Sequence, residues 1–171
     1  KFDWGKHTLW ERTSHVPLLI SGPGITKGAK IDATVSLIDM FPTITDLARA
    51  KDDQPRDGVS LASMLKDPTT ARDRDVLLPG MKPGEYAIIN RDWRYIRYAD
   101  GDEELYDLQK DYNEWDNLAL QPEHRPVIET MKQKAPKNFA TPGPEVAALK
   151  LSIAGESFHW DLKNKAKAKG K

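Results

Sequence analysis

Apolar positions change their spacing along this chain, and each spacing predicts a different kind of element. Near the start, five apolar residues over 16–20 (Val-Pro-Leu-Leu-Ile) run into Ser21-Gly22-Pro23-Gly24. A short unbroken run bounded by turn formers predicts a strand buried on both faces, as in a parallel sheet. Residues 31–35 predict another short strand. Helical spacing follows, with Met40, Ile44, Leu47 and Ala48 in one stripe, Asp39 at the N-cap position and Pro42 in the first turn. This predicts a helix over 40–50 whose stripe lies on the sheet as core. A charged loop over 51–58 ends in Asp57-Gly58. Ser60 then caps a short helix whose Leu61, Met64 and Leu65 share a face, closed by Asp67-Pro68.

From Asp75 the period becomes two. Segments 85–90 and 93–98 predict paired strands around an Arg91-Asp92 corner, with Trp93, Tyr95 and Arg97 facing one way and Arg94, Ile96 and Tyr98 the other. Asp100-Gly101 is a hairpin signal that turns the chain back into 104–108, and 76–78 offers a fourth strand. Residues 113–118 predict a turn that packs Trp115 and Leu118 on this sheet. A helix is predicted over 122–134, with Pro126 near its start and Val127, Ile128 and Met131 as its contacts. Beyond the stiff linker Thr141-Pro142-Gly143-Pro144, residues 145–153 predict a short helix. Lysine at every second position from Lys163 to Lys171 predicts a solvated tail.

Composition narrows the function. A length of 171 residues suits one domain with a small appendage, enough to bury a core. The 26 Lys and Arg balance 26 Asp and Glu, which argues against a general nucleic-acid or membrane-surface binder. No apolar run approaches the ~20 residues of a membrane-spanning helix, and no signal peptide is visible. Without cysteine there is no disulfide and no thiolate zinc site. The missing initiator Met predicts a C-terminal piece of a longer chain.

The candidate chemistry sits in the first line. Trp4-Gly5-Lys6-His7-Thr8-Leu9-Trp10-Glu11, then His15-Val16-Pro17-Leu18 and Pro23-Gly24, resembles the W-G-K-x-T-L-W-E … R/H-V-P-L-I … P-G segment of sulfatases. These are the type I, formylglycine-dependent sulfatases of the alkaline-phosphatase superfamily, with the iduronate-2-sulfatase-like branch nearest. The resemblance continues through Asp57-Gly58-Val59-Ser60-Leu61 and through 92–119, where Trp93 to Tyr98 and Glu104 to Leu108 follow the family pattern and Tyr112 replaces its usual proline. It implies an α/β fold: the C-terminal part of an alkaline-phosphatase-like α/β sandwich over 1–74, a small antiparallel sheet with a packed helix over 75–135, and an extension with a Lys-rich tail over 136–171.

A sulfate ester sheds negative charge onto its leaving oxygen as the S–O bond breaks, and an ammonium in a dry cleft offsets that charge far better than in water. The resemblance gives this role to Lys6, as a catalytic and sulfate-binding residue. His7 is either a donor to the sulfate or sugar or an exposed loop histidine. Lys1, at the end of the family's upstream element, is a candidate to face the cleft. Trp4 and Trp10 either line the sugar site or pack on the sheet, Glu11 and Arg12 are expected in local ion pairs, and His15 in a structural hydrogen bond.

The resemblance also implies a formylglycine made from a C-x-P-x-R or S-x-P-x-R motif and a Ca²⁺ ion held by oxygen ligands. This sequence contains neither motif, and its acidic pairs, Asp52-Asp53 and Asp100-Gly101-Asp102, read as loop and turn chemistry with no metal ligand among them. The chain alone is therefore expected to be inactive and to supply one wall of a sulfatase acting on sulfated carbohydrate, with an N-terminal portion as its missing partner. A related phosphodiesterase or phosphonate hydrolase and a non-catalytic binding module are the alternatives. The resemblance implies a periplasmic or secreted location.

Overall fold

The computed structural model describes residues 7–139 and 149–162. The chain divides into two compact units, Lys1–Phe139 and Ala140–Lys171. The predicted linker over 141–144 and the Lys-rich tail lie outside the described residues.

The first unit is built on four strands, β1 (Val76–Pro79), β2 (Tyr86–Ile89), β3 (Trp93–Arg97) and β4 (Glu103–Asp107), joined in an antiparallel meander in that order. The predicted fourth strand is thus present. Pairing sets Ile88 opposite Tyr95 and Tyr95 opposite Leu105, with Ala87 opposite Ile96. Because side chains alternate along a strand, this register sorts the apolar residues into two cores. One face carries Tyr86, Ile88, Tyr95 and Leu105; the other carries Ala87, Ile96 and Tyr106. Gly101, at φ 98°, makes the hairpin corner, where the Asp102 N–H donates to the Asp100 carboxylate at 3.1 Å.

The helix predicted over 122–134 begins as a 3₁₀ turn and continues as an α-helix, Arg125–Lys132, whose Ile128 and Met131 are buried on the first face. It is also clamped by charge. The Tyr95 hydroxyl donates to Glu103 Oε1 at 2.6 Å, and Lys132 Nζ lies 2.6 Å from the same oxygen. Burial pushes the Glu103 carboxyl up, but the bonds from Lys132 and Tyr95 outweigh it and hold the group below its ordinary value. Burial, with the Glu103 charge, pushes the Tyr95 phenol up.

The turn after β4 packs Leu118 on the first core, but Trp115 is 72% exposed, so the expectation for it was wrong. Glu114 turns inward instead, at φ 56° and 1% exposure, because its carboxylate meets a buried guanidinium described below.

Ahead of the sheet lie a short helix α1 (Glu11–Ser14), α2 (Met40–Leu47) and α3 (Ala62–Lys66); the helix after the sheet is α4. Asp39 joins α2 to the approach to α3. Fully buried, it accepts the N–H groups of Ser36 and Val59 at 2.8 and 2.9 Å and pairs with Arg74. It therefore caps the 3₁₀ turn before α2, not α2 itself. Gly58 is required beside it, since a Cβ there would sit 2.1 Å from the Ile38 carbonyl oxygen.

Three sequence expectations fail in this part. Residues 16–20 and 31–35 form no strands, and Leu19 is 88% exposed. A parallel strand needs neighbours to pair with, and among the described residues none lies beside either segment. For the same reason the α2 stripe is not core: Ile44 is 59% exposed.

In the second unit, the segment expected to be a helix instead gives β5 (Leu149–Ala154), paired with β6 (Ser157–Leu162) around Gly155 at φ 60°. Register explains the error. Leu149, Leu151 and Ile153 oppose Leu162, Trp160 and Phe158, so every apolar pair shares one face. Such cross-strand pairs outweigh the modest helix propensity of the segment.

Two outcomes follow from the first core. Ile128→Ala is expected to cost about 2–5 kcal/mol in urea unfolding, since the cavity would lie between sheet and helix. Glu103→Gln is expected to lower stability at neutral pH. With the folded carboxyl held below the ordinary range of an unfolded Glu, its contribution is full above that range and is lost as the pH falls through the folded value. Parallel melts of the two proteins should therefore converge in acid; a gap that does not change with pH would contradict the clamp.

Candidate functional site

The segment that carries the predicted chemistry enters the described structure at His7, in an exposed turn. Lys6, Lys1 and Trp4 lie outside the described residues. What is visible is the segment that follows them. Leu9 is buried in the second core, and the Trp10 indole packs beside it. Trp10 Nε1 donates to Glu104 Oε2 at 2.7 Å, and the Tyr106 hydroxyl donates to the same oxygen at 2.9 Å. Burial, and then the Glu104 charge, pushes the Tyr106 phenol up, which keeps it a donor. Of the two roles open to Trp10, packing on the sheet is the one seen.

α1 follows, one turn long. Thr13 Oγ1 donates back to the Thr8 and Trp10 carbonyls at 2.9 and 2.8 Å, closing the loop on itself. His15 Nδ1 lies 2.5 Å from Glu11 Oε1, the expected structural bond. The other expectation here is corrected. Arg12 reaches Asn113 Oδ1 at 2.8 Å rather than a local acid, and Glu11, besides its local contact with His15, pairs with Arg94, 83 residues away.

Arg94 is the residue that the sequence reading missed. It sits on β3, 1% exposed, on the second face of the sheet. Its Nη1 donates to the Leu9 carbonyl at 2.7 Å and to Ser14 Oγ at 3.1 Å, and its Nη2 to Glu11. Its Nε lies 2.7 Å from Glu114 Oε1, with the N–H direction off line, so that contact is electrostatic. Glu114 Oε2 in turn accepts the Glu11 N–H at 2.9 Å. One signal was available: Arg94 alternates with Ile96 on a face otherwise apolar, and a buried guanidinium requires a carboxylate. Nothing in the spacing pointed to Glu11 and Glu114 as the carboxylates.

This arrangement orients a loop. The two carboxylates flank a cation, so they are not an acid–base pair. The residues present do not fit the family's other groups. Among the described residues no three His, Cys, Asp or Glu side chains converge as a metal ion requires. Asp52 is held by Arg56 at 3.0 and 3.1 Å. No cysteine exists to become a formylglycine. Among the described residues no helix is long and apolar enough to cross a membrane.

Residues 2–140 match the family profile "N-sulphoglucosamine sulphohydrolase, C-terminal". A sulfatase of Formosa agariphila is 35% identical over 141 residues, 82% of this chain and 28% of the relative. Arylsulfatase K of Gallus gallus is 36% identical over 132 residues, covering 67% of this chain and 24% of that protein. Among solved structures, a 2-O GAG sulfatase superposes with a TM-score of 0.56 at 25% identity, over 66% of this chain and 27% of its own. The small antiparallel sheet with packed helices thus matches the alkaline-phosphatase-like α/β architecture. The chain spans about a quarter of the length of the curated relatives it matches.

Trp10→Phe keeps the ring against Leu9 but deletes the bond to Glu104. The expected loss is about 1.5–3 kcal/mol in urea unfolding, the range for a hydrogen bond to a charged acceptor.

Proposed function

The chain belongs to the N-sulphoglucosamine sulphohydrolase C-terminal family of sulfatases, and from that membership we propose that it is the C-terminal wall of a sulfatase active site, with Lys6 as its sulfate-binding residue. The observation that carries this reading is the family match over 2–140, which includes the Lys6–His7 segment. That segment leads directly into a root fixed to the sheet at Leu9, Trp10 and Glu11.

In this reading Lys6 holds the sulfate oxygens and offsets the negative charge that grows on the leaving oxygen. His7, exposed in its turn, donates in this proposal to the sulfate or to a neighbouring sugar hydroxyl, and Lys1 faces the same cleft. The formylglycine nucleophile and the Ca²⁺ ligands come from an N-terminal portion outside these residues. The apolar side chains exposed over 16–44, among them Leu19, Leu37, Ile38, Phe41 and Ile44, are the surface on which the rest of the α/β sandwich lies, since an apolar area of this kind normally marks an interface.

The substrate class in this proposal is sulfated carbohydrate. It is supported by the amino-sugar name of the family and by the glycosaminoglycan sulfatase whose fold superposes. Within the superfamily, the Trp4–Glu11 motif supports placement in the iduronate-2-sulfatase-like branch. Export to the periplasm or outside the cell completes the proposal.

The test uses the full-length protein that contains this chain, expressed with its formylglycine-forming partner. Lys6→Ala is expected to lower kcat/KM on an aryl sulfate by about 10²–10³, the effect of removing one preorganised charge-stabilising group, while formylglycine content stays constant. An unchanged rate would remove Lys6 from the site. Greater activity on an aryl phosphonate or phosphodiester than on the sulfate would move the protein to the neighbouring class.

A further inference from the structure

We propose that Arg94 is a positioning residue for the sulfate-binding loop, acting through the Leu9 carbonyl and α1. The inference rests on the reading of that loop given above.

The geometry is asymmetric in a way that stability alone does not require. Burying a guanidinium with two carboxylates is costly, and apolar residues of similar volume often serve a core as well or better. Here the charged group sits on the second face, where Ala87, Ile96, Tyr106 and Leu9 already make an apolar core. All of its partners except Glu114 belong to one short segment: the Leu9 carbonyl, Ser14 Oγ and Glu11. Glu114 completes the set by accepting the Glu11 N–H and lying against Arg94 Nε.

The planar fork therefore grips both ends of α1 and the peptide three residues after Lys6. Arginine suits the task because its donors point in fixed directions. Trp10, held separately by Glu104 at 2.7 Å, prevents the segment from rotating about that grip. β3 and β4 thus act as a rigid mount, and the loop's reach towards a sulfate is set from the C-terminal sheet. A binding group displaced by an ångström loses much of its effect.

A lysine at 94 keeps the charge but reaches only part of this set. In the full-length enzyme, Arg94→Lys is expected to weaken the binding of inorganic sulfate, measured by calorimetry, by about tenfold. On an aryl sulfate, kcat/KM should fall by about ten- to a hundredfold, with formylglycine and calcium contents unchanged. A purely structural role would instead lower the melting temperature while the folded fraction kept wild-type sulfate affinity and KM, and that result would overturn the proposal.

If Arg94→Lys folds poorly, Glu114→Gln provides the second test. It is close in shape but lacks the charge set against Arg94 Nε. It should weaken sulfate binding in the same direction, by a smaller factor; unchanged sulfate affinity would overturn the proposal equally. Lys6→Ala separates the two levels. If it leaves sulfate affinity intact, the loop does not bind sulfate and the underlying reading fails. If it abolishes binding while both other variants bind normally, the loop reading stands and positioning by Arg94 fails.

Discussion

The first unit depends on a rule of buried charge: a guanidinium taken out of water must find nearly all its partners inside the protein. Arg94 finds them in two separate stretches, at Leu9 to Ser14 and at Glu114. That demand accounts for several local oddities at once. It explains why a turn residue of ordinary type sits at φ 56° with its side chain inward, and why Trp115 beside it remains at the surface. It also explains why a helix of only four residues is held in place.

Around this point the sheet works on both faces. The first face is an ordinary apolar core closed by α4, with the Tyr95, Glu103 and Lys132 contact fixing the end of the helix to β4. Among the described residues the second face has no helix like α4 packed across it. Its cover is the segment that leads in from the candidate site, with Leu9 as the apolar plug and Trp10 and Glu11 as polar ties. Stability and site geometry are thus joined in one place, because what seals the second face also aims the loop.

The meander was legible because its signals were local and mutually consistent. Period-two alternation from Trp93 to Tyr98 and the Asp100-Gly101 corner each needed only neighbouring residues to be read. The helix carrying Ile128 and Met131 was legible for the same reason. What failed was whatever depended on distant partners. The run at 16–20 has the composition of a buried strand, but a strand exists only beside another, and composition does not supply the neighbour. In the hairpin of β5 and β6, Leu149 and Ile153 fit helical spacing as well as strand spacing. Phe158 and Trp160, across the turn, decide between them. At the candidate site, the motif around Lys6 was visible, while its support was not. Arg94 and Glu11 are 83 residues apart, and no short-range pattern links them.

That separation also sets the order in which the parts form. Contacts between strands joined by tight turns close early, whereas a contact spanning some eighty residues bears a far larger loop-closure entropy and forms after the sheet exists. The loop root has few apolar contacts beyond Leu9 and Trp10, so in the native protein it belongs among the regions that open first. The same guanidinium that fixes the loop in space therefore fixes it in time: last to assemble, and first to be released when the molecule loosens.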